Sequence, residues 1–294
     1  EQSCLFPEIV QSRFRKDQER QWYGHISKHG RDDPRSYVLT ATFKDATLKV
    51  AVKAGRKVRK APFPYTRECL QQVYRGKYLV SHLQAGLMKE RYTCMQFFLR
   101  SHTVLQIKES PLDDWPNTKL CEDESMTLDP WPWITSAGAF ENYVSCPLTG
   151  GFNMKVFDKA KGVGVCDANE GETRLESECM KGEGLFFRFR YPNCVPNGIH
   201  MHHDQRVFCI AHWEEGPHTF AILQHDKNNN HMWCFRFLTN KDNTFNAFLF
   251  RDLYCSVENF PKDTNDYLRL EMRNDLPRQL SDLCMDDYEA CNMW

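Results

Sequence analysis

RVFCIAHWEEGPHTFAILQHDKNNNHMWCFRFLTNKDNTFNAFLFRDLYC, residues 206–255, holds four apolar runs, VFCIAHW, HTFAILQ, HMWCFRFL and FNAFLF, divided by EEGP, HDKNNN and NKDNT. The dividers are the Gly, Asn and Asp chemistry of tight turns. Runs of this length, rich in Phe, Ile, Val, Thr and Trp and interleaved with polar residues, suit strands buried on one face. No 3.6-residue period is sustained. The stretch therefore predicts an antiparallel meander carrying Cys209, Cys234 and Cys255.

A shorter version of the pattern stands about 140 residues earlier. RYTCMQFFL places Tyr92, Cys94, Met95, Phe97 and Leu99 much as HMWCFRFL places Met232, Cys234, Phe235, Phe237 and Leu238. Each copy needs its own partners to bury a sheet face, so a true repeat means two domains of related shape; abundant Cys, Phe and Leu would also produce the match by chance. With 294 residues the chain is long enough for about two domains. The expected division is an N-terminal β domain over 1–125, a linker over 126–143, a C-terminal β domain over 144–258 and a strap over 259–294.

Charged residues are 26% and apolar ones 41%, which describes a globular chain, and the net charge of -1 offers no general attraction to nucleic acid or anionic lipid. No run of 18 apolar residues provides a membrane span, and the start at Glu1 reads as a mature chain whose leader has been removed. Thirteen cysteines without a single C-x-x-C pair speak against a zinc ribbon or a thioredoxin-type site. Cys4, Cys69, Cys94, Cys121, Cys146, Cys166, Cys179, Cys194, Cys209, Cys234 and Cys255 read as disulfide staples between neighbouring strands, which places the protein outside the cell. The count is odd, so one sulfur is left for a thiol or a covalent partner, with Cys284 and Cys291 the first candidates.

Before the meander, QSRFRKDQERQWYGHI has the charge spacing of a short helix leading into a strand at WYGHI. SYVLTATFKDATLKVAVKAG alternates about Lys44-Asp45 as a hairpin, with Leu48, Val50 and Val52 on one face. GRKVRKAPFPYTREC, 55–69, reads as a solvated basic loop, with anion binding as the alternative. YLVSHL, TCMQFFL and TVLQIKE supply three more strands and finish the first sheet near Cys121. The acidic, Pro-rich stretch 112–143 reads as the connection, its Trp115, Trp131 and Trp133 covering an apolar surface or forming a carbohydrate platform. GLFFRFRYPNC alternates, with Phe187 and Phe189 opposite Phe186 and Arg188.

The densest group of chemistry-bearing residues is GIHMHHDQRVFCIAHW. His200 and His202 share a face if this is a strand, His203 and Asp204 follow, and His212 lies one strand length further on. Such imidazoles are exposed tips of a polar hairpin, acid–base groups near neutral pH, or metal ligands. His200, His202 and His212 are the candidate catalytic residues; Trp213, Trp233, Phe235 and Phe237 are the candidate ligand-binding residues; and no metal-ligand spacing is present. There is no G-x-S-x-G, no Walker loop and no G-x-G-x-x-G opening a helix, so flavin, nicotinamide and ATP chemistry is not expected and no cofactor is required.

CMQFFLRSHTVLQIKES in the first half, with CPLTGGFNM and the meander ending DLYC in the second, resembles a pair of secreted invertebrate domains found in arthropod and annelid extracellular proteins. The resemblance covers most of residues 4–255 and implies an extracellular, disulfide-bonded, lipocalin-like β fold. WYGHI sets a Trp and a Gly in the first strand as lipocalins do, in the order Trp22-x-Gly24 rather than Gly-x-Trp. In size and cysteine content the chain is also similar to the syllid fireworm luciferases, secreted annelid enzymes that oxidise a small heteroaromatic luciferin with molecular oxygen. That similarity implies an apolar β-barrel pocket with a histidine such as His202 or His212 as base. The alternative is a non-catalytic extracellular protein that binds a small apolar or heteroaromatic molecule or a partner.

Overall fold

A computed structural model describes residues 4–11, 20–25, 37–59, 61–73, 76–135, 143–158, 163–164, 173–178, 182–189, 201–202, 204–225, 232–240, 244–251, 253, 255 and 267–274. The chain divides into two units, Glu1–Ala139 and Phe140–Trp294. Each is an antiparallel eight-stranded closed barrel.

The first barrel runs in simple meander order through β1 (Gln21–His25), β2 (Tyr37–Lys44), β3 (Thr47–Ala54), β4 (Tyr65–Val73), β5 (Lys77–Gln84), β6 (Arg91–Leu99), β7 (Val104–Glu109) and β8 (Leu128–Thr135), and β8 pairs with β1 to close it. Alternation decides what enters the lumen. Leu39, Ala41 and Phe43 of β2 face Val52, Val50 and Leu48 of β3; with the half-buried Val52 packed against it, the rest form one buried cluster with Trp22, Tyr78, Val80, Met95, Leu105, Ile107 and Trp133. At the base, a single-turn helix α1 (Glu8–Gln11) and Phe6 cover the end, with Phe6 edge-on to Phe43 and Phe97 at 5.3 and 5.9 Å. Trp22 anchors this cover: its indole Nε1 donates to the Val10 carbonyl at 2.9 Å, and the Arg20 guanidinium lies 4.3 Å over its ring. Burying each such large side chain contributes about 1.5–3 kcal/mol.

The second barrel comprises β9 (Gly150–Asp158), β11 (Arg174–Ser177), β12 (Leu185–Arg188), β13 (Asp204–Glu215), β14 (His218–His225), β15 (Met232–Thr239), β16 (Thr244–Phe250) and β17 (Tyr267–Asn274), with β17 returning to β9. A two-residue strand β10 (Val163–Gly164) adds to β9. The predicted meander 206–255 is β13 to β16. On β12, Phe187 and Phe189 enter the core, while Phe186 on the other face lies between Arg188 and Arg206 at 4.7 and 5.5 Å.

The two barrels are copies of one plan. The bridges Cys4–Cys69 and Cys94–Cys121 belong to the first; Cys146–Cys209 and Cys234–Cys255 belong to the second. In both, the first bridge joins the segment ahead of the barrel to the fourth strand, and a β-bulge follows that strand cysteine at once, at Cys69/Gln71 and at Cys209/Ala211. In both, the second bridge joins the sixth strand to a segment outside the barrel wall. Each bridge thus ties a strand to a flanking segment, not to a neighbouring strand as the spacing had suggested. Cys166, Cys179, Cys194, Cys284 and Cys291 lie outside the described residues.

Three readings of the sequence are corrected. The expected linker 126–143 supplies β8, and Trp133 packs in the barrel with its ring against Gly24, where a Cβ would stand 2.9 Å from it. Among the described residues β1 pairs with β8 only at Ile134 and Thr135, so Pro130 and Pro132 lie beyond that ladder, where a missing N–H is tolerated. The expected strap 259–294 supplies β17, which closes the second barrel. The expected basic loop ends at Tyr65, where β4 begins. The helix expected over residues 11–21 falls largely outside the described residues; the one α-helix described is α1.

Candidate functional site in the first barrel

β4 reads YTRECLQQV, too polar to announce a core strand, yet its alternation sends Tyr65, Arg67 and Cys69 inward. Arg67 faces His82 of β5 across the ladder and reaches over two strands to Glu109, the last residue of β7. Its terminal nitrogens donate to the two carboxylate oxygens of Glu109 at 2.6 and 2.9 Å, and its Nε donates to His82 Nδ1 at 3.2 Å. The Tyr65 ring lies 4.7 Å from the His82 ring and 4.8 Å from the guanidinium carbon. Arg67 and His82 are 5% and 7% exposed, whereas Glu109 retains 24%, so solvent meets the cluster from the end opposite α1.

The electrostatics follow from burial and pairing. Burial opposes the charge on Arg67, but the adjoining Glu109 carboxylate outweighs it and holds the guanidinium above its ordinary pKa. Burial, with the Arg67 charge beside it, lowers His82 to about 4, so the imidazole is neutral at physiological pH. Because Nδ1 accepts from Arg67, the ring proton sits on Nε2. Burial raises the Tyr65 phenol, keeping it an O–H donor. The cluster is charge-balanced and rich in donors.

The second barrel holds the same positions with different residues. Counting from the bulge cysteine, Val207 stands where Arg67 does; counting from the next bridge, Leu249, opposite Phe235, stands where Glu109 stands opposite Met95. His225 pairs with Val207 as His82 pairs with Arg67. Val207 and Leu249 are both fully buried in the second core. One fold therefore carries an ion pair in one copy and an aliphatic pair in the other.

The residues singled out from sequence are distributed differently. His200 lies outside the described residues. His202 precedes β13 and His212 lies near its far end, both exposed; eight residue-to-residue steps of roughly 3.3 Å separate Asp204 from His212, so the imidazoles are not brought together. Trp213 faces out of the barrel and stacks on Phe220 at 5.3 Å. Trp233, Phe235 and Phe237 face in and pack in the second core, with Phe235 against Phe187 and Phe237. The four predicted ligand-binding aromatics thus occupy two faces of one sheet. Among the described residues no group of three His, Cys, Asp or Glu is placed to hold a metal, and no helix is long and apolar enough to cross a membrane.

The fold and site define a tandem of two disulfide-bonded β-barrels, the first with an ionic lumen. Residues 1–135 match a family model described as a domain of unknown function (DUF7043), and residues 142–271 match another described as a domain of unknown function (DUF7042). The two matches fall on the two barrels. No curated protein and no solved structure matches the chain.

Proposed function

We propose that the chain is an extracellular small-molecule-binding protein whose guest lies in the first barrel against Arg67, His82 and Tyr65. One observation carries this reading: the second barrel builds the same fold with Val207 and Leu249 where the first has Arg67 and Glu109. A buried ion pair is a poor stabiliser compared with well-packed aliphatic residues, so the fold gains little from this one. Perturbed, charged groups converging inside a barrel are the ordinary signature of a binding site. Four intrachain bridges favour an oxidising compartment outside the cell.

The oxidative reading, a luciferase-type oxidation of a heteroaromatic luciferin by oxygen, needs a base that reaches the guest. Arg67 occupies the His82 Nδ1 lone pair and the ring proton is on Nε2, so the imidazole is set to donate a hydrogen bond and not to take a proton. Binding without turnover is the reading this favours. Light from purified protein, fireworm luciferin and air above a boiled control would replace it with the oxidative one.

The test of binding is organic extraction of the secreted protein followed by mass spectrometry, beside an Arg67→Val/Glu109→Leu variant that copies the second barrel. A small molecule recovered from the native chain and lost from the variant is the expected result. Equal recovery from both, or none from the native chain, overturns the proposal.

A further inference from the structure

Resting on the lumen-binding reading, we infer that the guest is an uncharged, largely apolar molecule presenting a hydrogen-bond acceptor, such as a ketone, amide or ring nitrogen, to the Arg67–His82–Tyr65 donors. The donor inventory carries this. A guanidinium has five N–H groups; three are used, two by Glu109 and one by His82 Nδ1. Two remain without an acceptor among the described residues, on a side chain only 5% exposed. The His82 Nε2–H and the Tyr65 hydroxyl make no hydrogen bond among the described residues. These donors are left to solvent, and a guest that shuts water out without supplying acceptors leaves them unmatched at a cost, so a guest with acceptors is favoured over one without.

The same geometry selects against an anion. Glu109 already balances the Arg67 charge, and both its oxygens point at the guanidinium. A second carboxylate here would meet one cation shared between two anions and would lose its own hydration on entry. A neutral acceptor gains the bonds without that cost. On the neighbouring strands, Tyr37, Leu39 and Val52 belong to or pack against the apolar cluster of the same barrel, the surface that the guest's hydrocarbon body would meet.

Three probes of one size separate these possibilities: 2-acetylnaphthalene, 2-naphthoate and 2-ethylnaphthalene, each titrated calorimetrically into the full chain at neutral pH. The expected order puts 2-acetylnaphthalene about tenfold tighter than 2-ethylnaphthalene, with 2-naphthoate weakest. Arg67→Val/Glu109→Leu brings the ketone and the hydrocarbon to equal affinity. Glu109→Gln leaves the guanidinium uncompensated and moves 2-naphthoate to the front; should that variant not fold, the double variant still decides. Binding of 2-ethylnaphthalene as tight as the ketone, or a preference of the native chain for 2-naphthoate, overturns the inference and leaves lumen binding standing. Failure of all three to bind overturns both.

Discussion

Glu109 holds both terminal nitrogens of Arg67, at 2.6 and 2.9 Å, across the lumen of a barrel whose second copy has Leu249 and Val207 in their places. Removing one partner leaves a buried charge without its counterion, whereas removing both leaves ordinary core. Glu109→Gln is therefore expected to destabilise the first barrel by about 3–5 kcal/mol, and Arg67→Val/Glu109→Leu by much less. Denaturant unfolding checks this; a double variant as unstable as the single one would show that the pair serves the fold.

His82 makes the first barrel sensitive to acid. Its folded pKa, about 4, lies below the ordinary value of 6.5, so the unfolded chain binds the proton first. Stability is full above about pH 6.5, falls as pH drops from there to about 4, and then levels for this group. At about 1.4 kcal/mol per unit the interval would cost about 3 kcal/mol, and solvent at the open side of the cluster reduces this to about 1–2 kcal/mol. His82→Asn keeps an acceptor for Arg67 Nε and removes the titration; its unfolding free energy should be flatter across that window than that of the native chain.

Gly24 is required by Trp133. A Cβ at Gly24 would stand 2.9 to 3.2 Å from three ring carbons of the indole. Gly24→Ala should cost about 1–3 kcal/mol through overpacking, and Trp133→Phe in the same chain should return part of it. Additive losses in thermal unfolding of the two changes would contradict this contact.

Eight of the thirteen cysteines are in described bridges, which leaves 13 − 8 = 5 sulfurs, an odd number. Thiol titration of denatured, unreduced monomer should therefore find one, three or five thiols. More than five would break a described bridge; a covalent dimer on non-reducing gels would account for a missing one.

Alternation and turn chemistry made the strands β2, β3, β5, β6 and β7 and the meander β13–β16 legible, because each has one apolar face and is bounded by polar turns. Other strands were hidden for stated reasons. β4 carries Arg67 and Glu68 among few apolar residues, β8 contains two prolines, and β17 is interleaved with charges. The one signal that would have found β4 is the alternation of Tyr65, Arg67 and Cys69 against Thr66, Glu68 and Leu70. The histidine group was a cluster only along the chain; an extended strand spreads such residues out.

By itself the sequence determined an all-β chain in which one strand pattern occurs twice, since period-two patterning is a local property that the chain states directly. It could not say that residues 42 positions apart, Arg67 and Glu109, would meet. Local alternation specifies which side chains face inward, but only closure of the barrel, with its tilt and register, decides which of them touch across the lumen.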